Sequence, residues 1–130
     1  MIQLNYRDSK PIYEQIKEGL RHLLITRAVD TDERLPSVRE LAQSLAINPN
    51  TIQRAYRELE AEGYIYTVAG KGSFAAPREE IVTSRREELY ETFDKVTSEL
   101  LLTGVTTKEL KERIEKTEEE GGTHDTGKHD

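Results

Sequence analysis

Residues 37–63 read SVRELAQSLAINPNTIQRAYRELEAEG, and this stretch decides the fold. Ser37 and Glu40 stand three apart at its start, the spacing of a capping box. The Ser37 hydroxyl accepts from the Glu40 amide, and the Glu40 carboxylate reaches back to the Ser37 amide. Val38, Leu41, Ala42 and Leu45 then recur at helical spacing and give the new helix one apolar stripe. After Ala46-Ile47, Asn48-Pro49 is a second start signal: a capping side chain, then proline at the first helical position. Ile52, Ala55, Tyr56 and Leu59 supply that helix's buried face, and Gly63 ends it. Two short helices separated by so few residues form a helix-turn-helix.

Working outward, Asp8-Ser9-Lys10-Pro11 announces an earlier helix, with Asp8 or Ser9 as cap. Ile12, Ile16, Leu20, Leu23 and Leu24 carry its stripe to about Thr26. Gly19 is a weak point within it, costing ~1 kcal/mol against alanine. On the other side, Tyr64-Ile65-Tyr66-Thr67-Val68 is aromatic and β-branched, Ala69-Gly70-Lys71-Gly72 turns, and Ser73-Phe74-Ala75 returns as a partner strand. Pro77 closes this unit. A long helix follows from about Glu79 to Leu102, broken by Gly104. Thr106 to Glu109 is another capping box, with Val105 and Leu110 placed as a hydrophobic staple, and a last helix runs to about Lys116. Residues 118–130 hold no apolar side chain and are expected to be disordered. The expected organisation is a helix-turn-helix domain with its hairpin over 1–77, a helical segment over 78–117 and a tail over 118–130.

The 130 residues suit one compact domain with an appendage. Charged residues make up 34% and hydrophobic ones 35%, enough for a modest core. With no cysteine and only His22, His124 and His129, there is little material for metal or acid–base chemistry. Neither an enzyme, a metal site nor a cofactor is expected. No apolar run approaches the ~18 residues of a membrane span, and a cytoplasmic location is expected. The net charge of −6 falls wholly after Pro77: residues 1–77 hold ten Lys/Arg and ten Asp/Glu. Screening confines exposed charge to roughly 8 Å at physiological salt, so the acidic second half does not veto an anionic partner for the first.

The outward side of the third helix carries Asn50, Arg54 and Arg57, flanked by Thr51 and Gln53. Amide side chains can pair with an adenine edge and arginine with a guanine edge in the major groove. Amides at the start of the same helix could sit on a phosphate. Arg39 is placed to reach a phosphate or base edge beside it. Lys71, between Gly70 and Gly72, brings positive charge to the tip of a hairpin that can approach a duplex closely. Each feature alone is more often solvated surface or a plain turn than a DNA contact; their joint order along the chain favours DNA.

Leu35-Pro36-Ser37-Val38-Arg39-Glu40-Leu41-Ala42, Asn48-Pro49-Asn50-Thr51, Arg54-Ala55-Tyr56, Glu62-Gly63 and Gly70-Lys71-Gly72-Ser73-Phe74 closely resemble the winged helix-turn-helix of GntR-type bacterial transcriptional regulators. Pro11-Ile12-Tyr13-Glu14-Gln15-Ile16 fits the family's opening helix, and the Asn-Pro-Asn-Thr and Arg-Ala-Tyr wording resembles the YtrA subfamily. The resemblance implies a homodimeric cytoplasmic repressor on a palindromic double-stranded DNA operator, in a group often encoded beside transporter genes. It places DNA contacts at Arg39, Asn48, Asn50, Thr51, Gln53, Arg54, Gly70 and Lys71. The family usually has glycine where this chain has Arg27 and Asp32, and often where it has Ala46. About fifty residues after Pro77 are too few for the ligand domains of longer relatives, so an effector, if one exists, has no obvious pocket.

The expected fold is therefore mainly α with a small β-hairpin wing: a winged helix-turn-helix followed by two dimerising helices. Leu89, Phe93, Val96 and Leu100, joined by Leu110 and Ile114, form a stripe that a two-fold partner would bury. The alternative is a winged-helix protein-interaction module without specific DNA binding.

Overall fold

The computed structural model describes residues 2–129, with side chains described for 2–121. Seven elements follow in order: α1 (Ile12–Ile25), α2 (Val38–Leu45), α3 (Pro49–Ala61), β1 (Ile65–Val68), β2 (Gly72–Ala75), α4 (Arg78–Leu102) and α5 (Thr107–His129). They fall into two compact units, residues 1–88 and 89–130.

In the first unit α3 lies centrally, packed by α1 and α2. The apolar stripes meet in one core: Ile16, Leu20 and Leu24 from α1, Leu41 and Ala42 from α2, and Ile52, Ala55, Tyr56 and Leu59 from α3 are all buried. Gly19 has a packing reason, since a Cβ there would stand 3.1 Å from Ile2 Cγ1. The N-terminal segment thus lies directly on the helix backbone. The start of α1 differs from expectation. Its N-cap is Pro11, without a capping side chain. Asp8 Oδ1 instead accepts from the Lys10 amide at 2.9 Å, forming a turn ahead of the helix.

β1 and β2 pair antiparallel, Ile65 opposite Ala75 through Val68 opposite Gly72. A third extended segment, absent from the sequence reading, joins them at a bridge between Arg34 and Phe74. Its amide bonds run from Asp32 to the Ala75 carbonyl at 2.9 Å and from Leu35 to the Ser73 carbonyl at 2.8 Å, while the Ala75 amide donates to the Glu33 carbonyl at 2.9 Å. So short a pairing leaves no alternation to detect.

The unit ends at Glu88, eleven residues beyond the expected boundary at Pro77. The first turns of α4 belong to this core: Ile81 is buried, the Arg78 guanidinium donates to the Ile25 carbonyl, and the Tyr64 hydroxyl donates to Glu88 Oε1 at 2.8 Å.

In the second unit Gly104 (φ +97°) separates the remainder of α4 from α5. The Thr106–Glu109 capping box forms, with both amide bonds at 3.1 Å. Helix α5 does not stop near Lys116. Loss of apolar residues removes a reason for burial but not the helix propensity of Thr117–Glu120, and Thr117 Oγ1 bonds back to the Arg113 carbonyl. The segment expected to be disordered from 118 is helical backbone as far as His129, and Asp130 lies outside the described residues.

Arg27, Asp32 and Ala46 all adopt positive φ, of 66°, 63° and 57°. These are the three places where the resemblance leads one to expect glycine. Left-handed backbone costs an L-residue roughly 1–2 kcal/mol, partly offset for glycine by its larger unfolded-state entropy. Ala46 is exposed and caps α2 in this conformation. Ala46→Gly is expected to stabilise the protein by about 0.5–1 kcal/mol, read as a higher urea midpoint at unchanged slope. A lowered midpoint would contradict this.

Burial pushes the Tyr56 hydroxyl up to about 12, and the nearby Glu40 carboxylate adds to the effect. Tyr64 is raised as well, by burial and then by its bond to Glu88. Burial works to lower Lys17, but hydrogen bonds to Glu62 and Glu58 prevail and raise it. All three groups hold their protons more tightly when folded. Their stabilisation is complete below pH ~10, the ordinary range of these groups, and is lost as pH climbs through the folded values. The urea midpoint should therefore fall between pH 9 and pH 11.5, and a flat profile would contradict the assignment.

Candidate nucleic-acid interface

The turn between α2 and α3 occupies three residues. Ala46 takes the left-handed conformation and the Ile47 amide bonds the Ala42 carbonyl at 2.9 Å. The capping box of α2 forms as its spacing predicts: the Ser37 amide donates to Glu40 Oε1 at 2.7 Å, and the Glu40 amide to Ser37 Oγ at 3.0 Å. Tyr56 fixes α3 against this entry, its hydroxyl donating to the Pro36 carbonyl at 2.6 Å. The helix-turn-helix is thus held by its caps, its turn and one tyrosine.

With Ile52, Ala55, Tyr56 and Leu59 buried, Asn50, Gln53, Arg54 and Arg57 are exposed on α3, and Thr51 is half-buried at its flank. Arg39 is exposed on the first turn of α2, and Gly70 and Lys71 are exposed at the wing tip. Among the described residues, Arg39, Arg57 and Lys71 form no ion pair. An uncommitted cation on each of α2, α3 and the wing is what binding to a polyanion requires.

Two expectations need correcting. The start of α3 offers no free amide in its first turn: Pro49 has none, Asn50 donates to Asn48 Oδ1 at 2.8 Å, and Thr51 donates to the Asn48 carbonyl at 3.0 Å. The open donors are instead those of Val38 and Arg39 on α2, which have no intrahelical acceptor. Asn48 is itself spent in part as a cap, one acceptor site of its Oδ1 being taken while its Nδ2 donors stay available for another partner.

Arg54 is exposed but not unattached. Its guanidinium carbon lies 3.6 Å from the centroid of the Tyr13 ring on α1. Its Nε also meets Glu58 Oε2 at 3.4 Å. Glu58 is shared with Lys17 at 3.0 Å, and the Lys17 hydrogen bond is the main cause that holds its carboxyl below the ordinary range. Periodicity places Arg54 on the outward side without revealing that its neighbour is Tyr13. Arg34 was also missed; it reaches across to the wing, its Nε donating to the Lys71 carbonyl at 3.3 Å.

The six residues expected to dimerise lie in the second unit. Leu89, Phe93, Val96, Leu100 and Ile114 are exposed in the single chain, and Leu110 is half-buried. No described helix is long and apolar enough to cross a membrane.

Residues 12–74 match the family model described as bacterial regulatory proteins, gntR family. The uncharacterised HTH-type transcriptional regulator YhcF of Bacillus subtilis (strain 168) is 41% identical over 121 residues, covering 90% of this chain and 97% of its own. The chain belongs to the gntR family. It is also 47% identical over 74 residues to the HTH-type transcriptional repressor YtrA of the same organism, with 57% of each chain covered. The regulator therefore spans nearly the whole of YhcF and just over half of YtrA. Among solved structures, a GntR family transcriptional regulator from Listeria monocytogenes superposes with a TM-score of 0.69 at 35% identity, covering 84% of this chain and 96% of the other. The AraR DNA-binding domain in complex with operator ORR3 superposes with a TM-score of 0.51 at 30% identity, covering 57% of this chain and 89% of that one. The winged helix-turn-helix is that of a DNA-binding GntR-type transcriptional regulator.

Proposed function

We propose that this regulator is a non-enzymatic cytoplasmic repressor that acts as a homodimer on a palindromic operator. The observation that carries the reading is the exposure of cations on all three parts of the motif: Arg39 on α2, Arg57 with Asn50, Gln53 and Arg54 on α3, and Lys71 on the wing. In this arrangement α3 enters the major groove, with Asn50, Gln53, Arg54 and Arg57 toward base edges. The open amides of Val38 and Arg39, with the Arg39 side chain, sit on a phosphate. Thr51 and the Nδ2 donors of Asn48 serve the backbone at the groove edge. Gly70 permits close approach of the wing, and Lys71 supplies charge beside the adjoining phosphates.

Two protomers related by a two-fold axis read two half-sites at once, and the Leu89–Leu100 stripe with Leu110 and Ile114 supplies their interface. That AraR is solved on operator DNA and YtrA is named a repressor supports the reading. Selection from random duplexes by the full-length protein, followed by sequencing, is the test. The expected product is an inverted repeat; enrichment of no motif, or of a single half-site only, would overturn specific dimeric binding.

A further inference from the structure

We infer that Arg34 is a positioning residue for the wing, locking its tip to the entrance of α2 and so setting how Lys71 meets DNA. The inference rests on the proposed DNA-binding role. A two-stranded hairpin as short as β1–β2 is marginal alone, and its tip at Ala69–Lys71 is exposed. The turn's own tie is the Lys71 amide donating to the Val68 carbonyl at 2.9 Å. The other tie comes from outside the hairpin.

Arg34 leaves the third extended segment opposite Phe74 and lays its guanidinium along the wing. Nε donates to the Lys71 carbonyl at 3.3 Å. Nη1 lies 3.8 Å from Glu40 Oε1, the same oxygen that accepts from the Ser37 amide and caps α2. One planar side chain therefore spans the wing tip and the capping box.

Gly72 is cut to fit this side chain. Its φ is +117°, and a Cβ there would stand 3.1 Å from Arg34 Nε and 3.7 Å from Nη2. A glycine is needed both for the turn and for the guanidinium to lie against the backbone. The Lys71 carbonyl is a neutral acceptor, and the charge of Arg34 is met by the Glu40 carboxylate at 3.8 Å. Lysine at position 34 would keep that charge without the planar guanidinium whose Nε bonds the Lys71 carbonyl while Nη1 faces the Glu40 carboxylate. The outcome is a backbone at Lys71 held in register with Arg39 and the open amides of α2.

Two measurements on the full-length protein test this. In 15N relaxation, Arg34→Ala and Arg34→Lys should each lower the order parameters of Lys71 and Gly72 from about 0.85 toward 0.6, leaving Thr67 and Ser73 unchanged. Unchanged values at the tip in both variants overturn the inference. Fluorescence anisotropy on the selected operator gives the second reading. Arg34→Ala and Arg34→Lys should each weaken binding by about five-fold, and Arg34→Ala combined with Lys71→Ala should lie within about two-fold of Lys71→Ala alone. Wild-type affinity for Arg34→Lys, with additive losses for Arg34→Ala and Lys71→Ala, would make Arg34 a direct phosphate contact and overturn the positioning role. If Lys71→Ala changes neither affinity nor salt slope, the wing's proposed DNA contact fails, and the relaxation data still decide whether Arg34 orders the tip.

Discussion

Leu100→Asp is expected to convert the protein to monomers and to weaken operator binding by at least about 100-fold, the lower end of what bivalent engagement contributes. The second unit supplies the reason. Leu89, Phe93, Val96 and Leu100 recur on one side of α4 at spacings of four, three and four, and every one is exposed in the single chain. Among its described residues none is buried. Phe93 at 48% and Val96 at 52% exposure leave a contiguous apolar stripe in water, the mark of an association surface. A carboxylate in the middle of that seam must be desolvated without a partner, which opposes association far more than the lost leucine contacts would. Sedimentation equilibrium and anisotropy titration read the two effects separately. A variant that still sediments as a dimer places the interface elsewhere. A monomer that keeps full operator affinity removes the need for two half-sites. Because Leu100 lies outside the core of the first unit, circular dichroism should show the helix-turn-helix intact.

The elements that were legible in the sequence are those fixed by bonds between residues three or four apart. Ser37 with Glu40, Asn48 with Pro49, and Thr106 with Glu109 announced helix starts, and each forms. The stripe from Ile52 to Leu59 told which side of α3 is buried, and hence that Asn50, Arg54 and Arg57 face outward. What remained hidden depends on contacts across the fold. The Arg34–Phe74 bridge joins segments forty residues apart by a single pairing. The boundary at Glu88 follows from Ile81, buried in the first core, and from Glu88, which accepts from the Tyr64 hydroxyl; α4's own period cannot announce either contact. Arg27, Asp32 and Ala46 carry no local sign of positive φ; only the expectation of glycine at those places pointed to it. The sequence offers the amides opening α3 to a phosphate, but the capping side chain of Asn48 competes for them and holds the Asn50 amide. Both draw on the same donor.

Arg54→Ala is expected to cost about 1–3 kcal/mol of operator binding, roughly five- to 150-fold, with the preference at one base position flattened and the others kept. Its surroundings turn this into a prediction with several parts. Stacked on Tyr13 at 3.6 Å and tied through Nε to Glu58, the long side chain is already ordered before DNA arrives. Its terminal Nη1 and Nη2 donors are what remain to address the two acceptors of a guanine edge. The ordering entropy that a free arginine would lose on binding, up to about 2 kcal/mol, is largely spent in folding. Tyr13→Phe keeps the ring and should bind like the unmutated protein, since the face of the ring carries the attraction. Tyr13→Leu removes it and should lie between the unmutated protein and Arg54→Ala. Arg54→Lys should not rescue, because an ammonium cannot span two acceptors in a plane. Thermal midpoints should scarcely move in any of these variants: Arg54 is half-exposed, and Glu58 retains Lys17 at 3.0 Å. Profiling each variant on the selected operator with every single-base change distinguishes the readings. Loss spread evenly over all positions would make Arg54 a backbone contact. Tighter binding by Tyr13→Leu would mean that the stack restrains Arg54 from the groove.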